Sequence, residues 1–185
     1  DNVICVSTDD LKIKNTVEQT GLRIPFLRPK ELATDTAPTQ DVLLHAIKYY
    51  ETSDYFPDVV VLLQPTSPFR TSEHIMEALS QYNNKLDMVV SVKETHSNPY
   101  FNLFEETDDG FLEKSKKAKF TRRQDCPSIY ELNGAIYIIN VESLKNSQIY
   151  NFNRIMKYEM DNLSSIDIDS LFDWELAKSF LKNSI

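Results

Sequence analysis

Two stretches of this chain carry residue types whose spacing could do chemistry. The first is Gln64-Pro65-Thr66-Ser67-Pro68-Phe69-Arg70, which sets an amide, two hydroxyls and a guanidinium around two prolines. Each proline fixes its own φ, so Gln64, Thr66, Ser67 and Arg70 have little conformational freedom left to lose when a ligand arrives. A loop that merely leads into a helix at Ser72 would read the same way locally, and loops of that kind are common at strand ends. The second stretch is Ile166-Asp167-Ile168-Asp169. In an extended conformation the alternation puts both carboxylates on one face and both isoleucines on the other. Like charges that close repel, and a divalent cation resolves the conflict. Mg²⁺ is commonly held by one or two carboxylates plus substrate phosphates, which is this inventory. Helix capping by Asp169 with a solvated Asp167 accounts for the same spacing, and the spacing alone leaves both readings open.

These residues must be positioned by the elements around them. Val59 to Leu63 is a continuous aliphatic run that reads as a central strand covered on both faces, which places Gln64 just outside its carboxyl end, where open α/β sheets keep their ligands. Strands and helices alternate along the rest of the chain. Val3–Val6 is read as strand. Asp9 or Asp10 caps a helix bearing Leu11, Ile13 and Val17 that ends at Gly21, and Ile24–Leu27 is a short strand. From Thr39, the residues Val42, Leu43, Ala46, Ile47 and Tyr50 recur at the spacing of one helical face. A helix from Ser72 carries Ile75, Met76 and Leu79, and Met88–Val92 is the next strand. This order predicts a mostly parallel sheet sandwiched by helices. The stretch 94–128 breaks the pattern. It is short-period, aromatic and turn-punctuated, with Asp108-Asp109-Gly110 as a hairpin signal, and it reads as a small β insertion whose Tyr100, Phe101 and Phe104 suit a dimer contact. Ile129–Ile139 resumes the core as a strand interrupted by Asn133-Gly134, where glycine permits a bulge or a close backbone approach. Ile155–Glu159 is the last strand. Ser170 begins the final helix with Asp173 completing a capping box and Phe172, Leu176 and Phe180 facing inward.

Composition limits the class. The 185 residues, 41% hydrophobic and 11% aromatic, suit one domain with a full core. A net charge of −8 argues against a nucleic-acid partner, because such a face needs a basic excess. The island Lys114, Lys116, Lys117, Lys119, Arg122 and Arg123 is the exception, and its lysines read as a solvated flank. No apolar run approaches the roughly 20 residues of a membrane span. The opening residues lack the features of a signal peptide, and Cys5 and Cys126 form neither a disulfide framework nor a metal-site spacing, so a cytoplasmic location is expected. His45 and His74 read as surface or boundary residues of their helices. His96, in the loop near a strand end, can touch a substrate. No spacing supports a zinc site or a nucleophilic triad.

In order along the chain, Val6-Ser7-Thr8-Asp9-Asp10, Leu27-Arg28-Pro29 with Glu31 to Ala37, the Gln64–Arg70 loop, Asn133-Gly134-Ala135-Ile136-Tyr137 and Asp167-Ile168-Asp169 resemble the acylneuraminate cytidylyltransferases, also called CMP-sialic acid synthetases. The resemblance covers nearly the whole chain. It implies a Rossmann-like nucleotide-diphospho-sugar transferase fold and transfer of CMP from CTP to a nonulosonic acid with release of diphosphate, for bacterial cell-surface glycans such as lipopolysaccharide or capsule. It further implies Mg²⁺ and a homodimer. Carried over by position, Arg28, Ala37 and Thr39 line the nucleotide. Gln64, Thr66, Ser67, Arg123, Asn133 and Tyr137 face the sugar acid. Asp167 and Asp169 hold the metal, with Asp169 also placed to touch the sugar, so that Asp167, Asp169 and Arg123 form the catalytic set. Attack on the α-phosphate leaves negative charge on the departing diphosphate, so metal and positioning carry most of the chemistry. Arg123 offers a bidentate fork for the sugar carboxylate. The anomeric hydroxyl is a poor nucleophile, and both a metal-polarised water and Asp169 are candidates to take its proton.

Two departures qualify the resemblance. Members of that family begin with a strand and a glycine-rich basic loop, Arg-Gly-Gly-Ser-Lys-Gly, that holds the CTP phosphates. This sequence has three glycines in all and no such loop, which reads as an N-terminally incomplete domain, weak or inactive by itself. Glu131 stands where sialic acid enzymes tend to carry a second arginine, and Tyr100-Phe101 follow Pro99 where a lysine can occur. Both reduce positive charge near the sugar and favour a differently substituted nonulosonic acid. The alternatives are a catalytically inactive dimeric module that binds nucleotide or sugar, and a cytidylyltransferase for another 2-keto sugar acid such as Kdo, whose enzymes carry Gln-Gly-Asp-Glu-Pro in place of Gln64 to Pro68.

Overall fold

Residue chemistry sets the elements in the computed structural model, which describes residues 3–183. Helix α1, Leu11–Glu18, starts where the Asp10 carboxylate accepts hydrogen bonds from the backbone N–H groups of Lys12 (2.5 Å) and Ile13 (3.3 Å). Its chain turns at Gly21, whose φ is +86°. Helix α2, Thr39–Glu51, buries Leu43 and Ile47 on the expected face. Strand β1 is Val59–Leu63, α3 is Ser72–Gln81, β2 is Met88–Glu94, and β3 (Phe104–Glu106) pairs with β4 (Leu112–Lys114). Strand β5 is Tyr130–Asn140, α4 is Val141–Asn146, β6 is Ile155–Glu159, and α5 is Leu171–Asn183. Thr71 and His74 form a reciprocal capping box on α3. Ser170 and Asp173 form another on α5, with Ser170 N–H donating to Asp173 Oδ2 over 2.8 Å and Asp173 N–H donating to Ser170 Oγ over 3.3 Å.

The chain divides into two compact units. The first comprises Asp1–Val60 and Asn140–Asn153, the second Val61–Ile139 and Arg154–Ile185. In the first, the buried Gln40 ties α2 to the segment around α4. Its amide donates to the Leu144 and Ser147 carbonyls, both at 2.9 Å, and its carbonyl oxygen accepts from Ile149 N–H. Phe26 packs against His45 and Tyr49 with ring centroids 4.9 and 4.8 Å apart, which seats the segment before Arg28 on α2.

The second unit holds the core of the sheet, ordered β1-β5-β2-β6. Met88, Val89, Val90 and Val92 on β2 and Ala135, Ile136, Ile138 and Ile139 on β5 are at most 3% exposed. Each of the valine, isoleucine and methionine side chains among them contributes about 1.5–3 kcal/mol on burial. Strand β2 runs parallel to β6 and antiparallel to β5, so the sheet is mixed. Its register with β6 starts where Arg154 N–H and the Arg154 guanidinium both donate to the buried Asp87 carboxylate, at 2.9 and 2.7 Å.

Several sequence-based expectations need correction. Strand β1 is an edge of the described sheet and only half-buried, because it pairs with β5 alone. Val3–Val6 and Ile24–Leu27 are not strands: among the described residues they lack a ladder, and Arg28 N–H to Thr8 carbonyl, 2.8 Å, is the backbone bond that joins their ends. On α3 the inward face is centred on Ala78, and Met76 is exposed. On α5, Ala177 is buried while Phe172 is 76% exposed, and Leu176 and Phe180 are only partly covered; Phe180 meets Phe69 edge-on at 6.4 Å. In the insertion, Tyr100 and Phe101 are half-buried, Tyr100 against Phe120, and the exposed apolar side chains are Leu103, Phe104, Phe111 and Leu112. The Asp108-Asp109-Gly110 hairpin turn forms as read, with Gly110 at φ +80°.

Candidate active site

The site is built on an interruption in β5. Along β2, Val90 faces Tyr137 and Val92 faces Leu132, so β5 advances five residues while β2 advances two. The extra residues form a bulge at Asn133–Ile136. A bulge in a buried ladder strands polar backbone groups, and Ser91, a hydroxyl within an aliphatic run, replaces the lost partners. Ser91 Oγ accepts from Ile136 N–H at 2.7 Å and lies 2.5 Å from Asn133 Oδ1. Asn133 Oδ1 also accepts from Ala135 N–H at 3.2 Å, and its amide nitrogen donates to Ser165 Oγ at 2.9 Å. Asn133 is 5% exposed and its amide is engaged in this network, which shapes the bulge.

The bulge presents Gly134, at φ +75°, to the acidic segment. A Cβ there would lie 3.1 Å from Asp167 Oδ2 and 3.9 Å from Gln64 Oε1. The space left by the absent side chain is therefore bordered by the Asp167 carboxylate and the Gln64 amide oxygen. The two loops that carry them are tied together by Ile168 N–H donating to the Thr66 carbonyl at 2.9 Å. Arg70 fixes the proline-bounded loop to β5, since its Nη1 donates to the Gln64 and Ala135 carbonyls, both at 2.9 Å. Burial pushes that guanidinium below its ordinary value. The structure thus brings together Gln64, Thr66, Gly134 and Asp167, with Asn133 behind them.

Electrostatics single out the same place. Asp167 Oδ1 and Ser67 Oγ are buried with no hydrogen-bond partner. An unsatisfied buried polar atom costs about 1–3 kcal/mol, a cost that a bound ligand, ion or water removes; His45 Nδ1, in the first unit, is a third such atom among the described residues. Burial, and then the charge of Asp167, push the Tyr137 phenol above its ordinary value. Asp167 and Asp169 differ in setting: the segment 166–169 is not a strand, Asp167 is half-buried and Asp169 is exposed. Asp169 does not cap α5, a task that falls to Ser170. Among the described residues no cluster of three or more histidine, cysteine or carboxylate side chains could cage a metal. The orphaned Asp167 oxygen fits Mg²⁺, which commonly takes one or two carboxylates and completes its shell with water and phosphate oxygens.

Arg123 lies elsewhere in the same unit and shares no hydrogen bond with that cluster among the described residues. It begins a 3₁₀ turn, Arg123–Asp125, and lines a cavity of about 360 Å³ with Glu94, His96, Asn98 and Ser128. Its Nη2 is hydrogen-bonded to His96 Nδ1. Neighbouring Arg122 is instead engaged bidentately by Asp125, at 2.9 and 2.8 Å. The lysines of the basic island are largely solvated, as read; Lys117 pairs with Glu113 at 3.3 Å and Lys116 lies 5.3 Å from the Tyr100 ring centroid. Glu131 is paired with Lys93 across the ladder at 3.5 Å.

The residues expected at the nucleotide belong to the first unit. Arg28 is held by Ser7, through Nε to Oγ at 3.1 Å and Nη2 to the Ser7 carbonyl. Ala37 is half-buried, its N–H donating to the Thr34 carbonyl at 3.1 Å, and Thr39 is exposed at the first position of α2.

Comparison with known proteins decides the family. The cytidylyltransferase family matches residues 1–184. The chain belongs to that family. It is 31% identical over 185 residues to post-translational flagellin modification protein B of Campylobacter coli, covering 97% of this chain and 77% of that protein. It is 37% identical over 180 residues to N-acylneuraminate cytidylyltransferase of Escherichia coli, covering 94% of this chain and 41% of that protein. It is 30% identical to CMP-N,N'-diacetyllegionaminic acid synthase of Legionella pneumophila, covering 97% and 78%. Among solved structures, a CMP:2-keto-3-deoxy-manno-octonic acid synthetase complexed with CTP superposes with a TM-score of 0.67 at 13% identity, covering 100% of this chain and 82% of that one. A 4-diphosphocytidyl-2C-methyl-D-erythritol synthase from Anaerococcus prevotii gives 0.61 at 13% identity. At that identity these likenesses establish the fold, the mixed α/β, Rossmann-like sheet of the nucleotidyltransferases. This cytidylyltransferase therefore carries its Gln64–Arg70 loop, its Asn133-Gly134 bulge and its Asp167 segment as one connected assembly. Sequence reasoning missed Ser91 and Ser165, which hold the bulge. The signal for Ser91 was present, as the one polar residue inside Met88–Val92.

Proposed function

We propose that this protein transfers CMP from CTP to the anomeric hydroxyl of a nonulosonic acid, giving a CMP-sugar and diphosphate. The observation that carries the reading is the Asp167 carboxylate, whose Oδ2 borders the space left by Gly134 beside Gln64 and whose Oδ1 is buried without a hydrogen-bond partner, in a member of the cytidylyltransferase family. Relatives named for N-acylneuraminate and N,N'-diacetyllegionaminic acid support the nine-carbon substrate. In the reaction the sugar oxygen bonds to the α-phosphorus, the bond from that phosphorus to the oxygen bridging the β-phosphate breaks, diphosphate leaves with the bonding electrons, and the hydroxyl proton passes to water or to Asp169. Gln64, Thr66 and the Ser67 hydroxyl supply hydrogen bonds to the sugar acid, and the Tyr137 phenol adds another. Arg123 takes the sugar carboxylate as a planar fork. Arg28, Ala37 and Thr39 line the nucleotide. Asp167 and Asp169 would hold Mg²⁺, which supplies charge neutralisation on the phosphates when bound.

The reading includes a cytoplasmic homodimer serving a bacterial cell-surface glycan. Exposed Phe104, Phe111 and Leu112 on the β3–β4 hairpin support an interface there, and no described helix is long and apolar enough to cross a membrane. The testing experiment is Asp167→Asn and Asp169→Asn in the full-length protein. Both variants should keep the native circular dichroism and melting transition and lose CTP-dependent diphosphate release. Full turnover in either would refute the role assigned to the pair.

A further inference from the structure

We infer that His96 is a positioning residue for Arg123, holding the guanidinium for a substrate carboxylate without neutralising it; this rests on the proposed sugar-acid role of Arg123. The contact itself fixes the chemistry. Arginine offers only donors, so where Arg123 Nη2 meets His96 Nδ1 the imidazole nitrogen must present its lone pair and its proton must sit on Nε2. Adjacent Arg122 is restrained by the opposite means, a bidentate pair with the Asp125 carboxylate. That carboxylate competes with any incoming anion for the guanidinium. A neutral imidazole lone pair orients the fork and leaves its charge uncompensated.

The surroundings agree. Among the described residues Arg123 has no carboxylate partner. Glu94, which lines the same cavity, accepts a hydrogen bond from Ser128 Oγ at 2.8 Å. Asn98 is likewise engaged, donating to the Pro127 carbonyl at 3.1 Å and accepting from Tyr100 N–H at 3.0 Å. His96 is held through its own backbone, whose carbonyl accepts from Asn102 at 3.4 Å. The cavity therefore presents one cation not paired with an acid, aimed by a histidine on a separately anchored loop. A carboxylate-bearing substrate matches that arrangement, and orientation of a binding group is worth affinity because it lowers the ordering cost on association.

The test is steady-state diphosphate release by the full-length protein with CTP and either N-acetylneuraminic or N,N'-diacetyllegionaminic acid. His96→Phe keeps the ring and removes the acceptor. It should raise KM for the acid about tenfold, the worth of one hydrogen bond, and leave KM for CTP and kcat within about twofold. His96→Asn places an amide oxygen close to the former Nδ1 and should restore most of the acid KM. In an Arg123→Met background, His96→Phe should add nothing. An unchanged acid KM in His96→Phe, or an equal rise in KM for CTP, would overturn the inference. Absence of wild-type turnover with either acid would count against those two acids as the substrate and not against the contact. Imidazole ¹⁵N spectroscopy then still decides the contact: an unprotonated Nδ1 whose shift moves on Arg123→Met sustains it, and an Nδ1–H tautomer or no response overturns it.

Discussion

Gly134→Ala is the sharpest perturbation of the assembly, because two costs act at one atom. At φ +75° an alanine is strained by roughly 1–2 kcal/mol. Its Cβ would also stand 3.1 Å from Asp167 Oδ2, so the carboxylate must give way by a few tenths of an ångström. Together these cost about 1–3 kcal/mol, or a fall in Tm of roughly 3–10 °C for a chain of this size. Displacing the carboxylate should lower kcat by about tenfold, since a 1 Å misplacement of a reacting group costs on the order of 100-fold. Gly21→Ala separates the two costs. Gly21 has φ +86° but nothing within 4 Å of where its Cβ would be, so it should lose stability alone and keep full kcat. The assay is thermal melting of both variants with diphosphate release measured well below Tm. If Gly134→Ala melts with the wild type, or if both variants lose kcat equally, the space at Gly134 is not what positions Asp167.

Ser91→Ala should destabilise by about 1–3 kcal/mol, because it leaves Ile136 N–H buried without its partner, and Ser91→Val should not recover the loss; denaturant midpoints check this. Tyr158 donates to Glu77 at 2.6 Å, and its phenol is pushed up to about 12 by burial first and by that contact second. A raised folded value gives stability that is full below the unfolded tyrosine value, about 10, and is lost as pH rises through the folded one; Tyr158→Phe should flatten the fall in Tm between about pH 10 and 12. Hydrogen bonds from Ser164 hold Asp161 below its ordinary value. Its stability is therefore full above the unfolded value, about pH 4, and is lost as pH falls through the folded one, so Asp161→Asn should reduce the slope of the acid limb of a Tm–pH profile.

Local periodicity and local capping were legible in the sequence. The apolar spacing after Thr39, the run Met88–Val92, the Ser170/Asp173 box and the Asp108-Asp109-Gly110 turn depend on neighbours in the chain, and each formed as read. The Asn133-Gly134 interruption was legible as a bulge because glycine in a strand has few other uses. Pairing was not. Val3–Val6 and Ile24–Leu27 have strand composition, but a strand exists only with a partner, and composition does not supply one. The same gap hid the edge position of β1 and the exposure of Phe172, since which face of an element is covered depends on what packs against it. At the site, the residues of the Gln64 loop and Asp167 were legible by chemical type. The engagement of Asn133 by Ser91 and Ser165, and the lone pair His96 offers Arg123, are properties of juxtaposition between segments far apart in sequence.

CMP transfer to a nonulosonic acid is measured by diphosphate release from the full-length protein with CTP, Mg²⁺ and a panel of nine-carbon 2-keto acids, with Kdo as the eight-carbon comparison. Release should require CTP and one nine-carbon acid together, and should disappear when the metal is chelated. Release with Kdo alone, or none with any acid from a folded full-length protein, would contradict it.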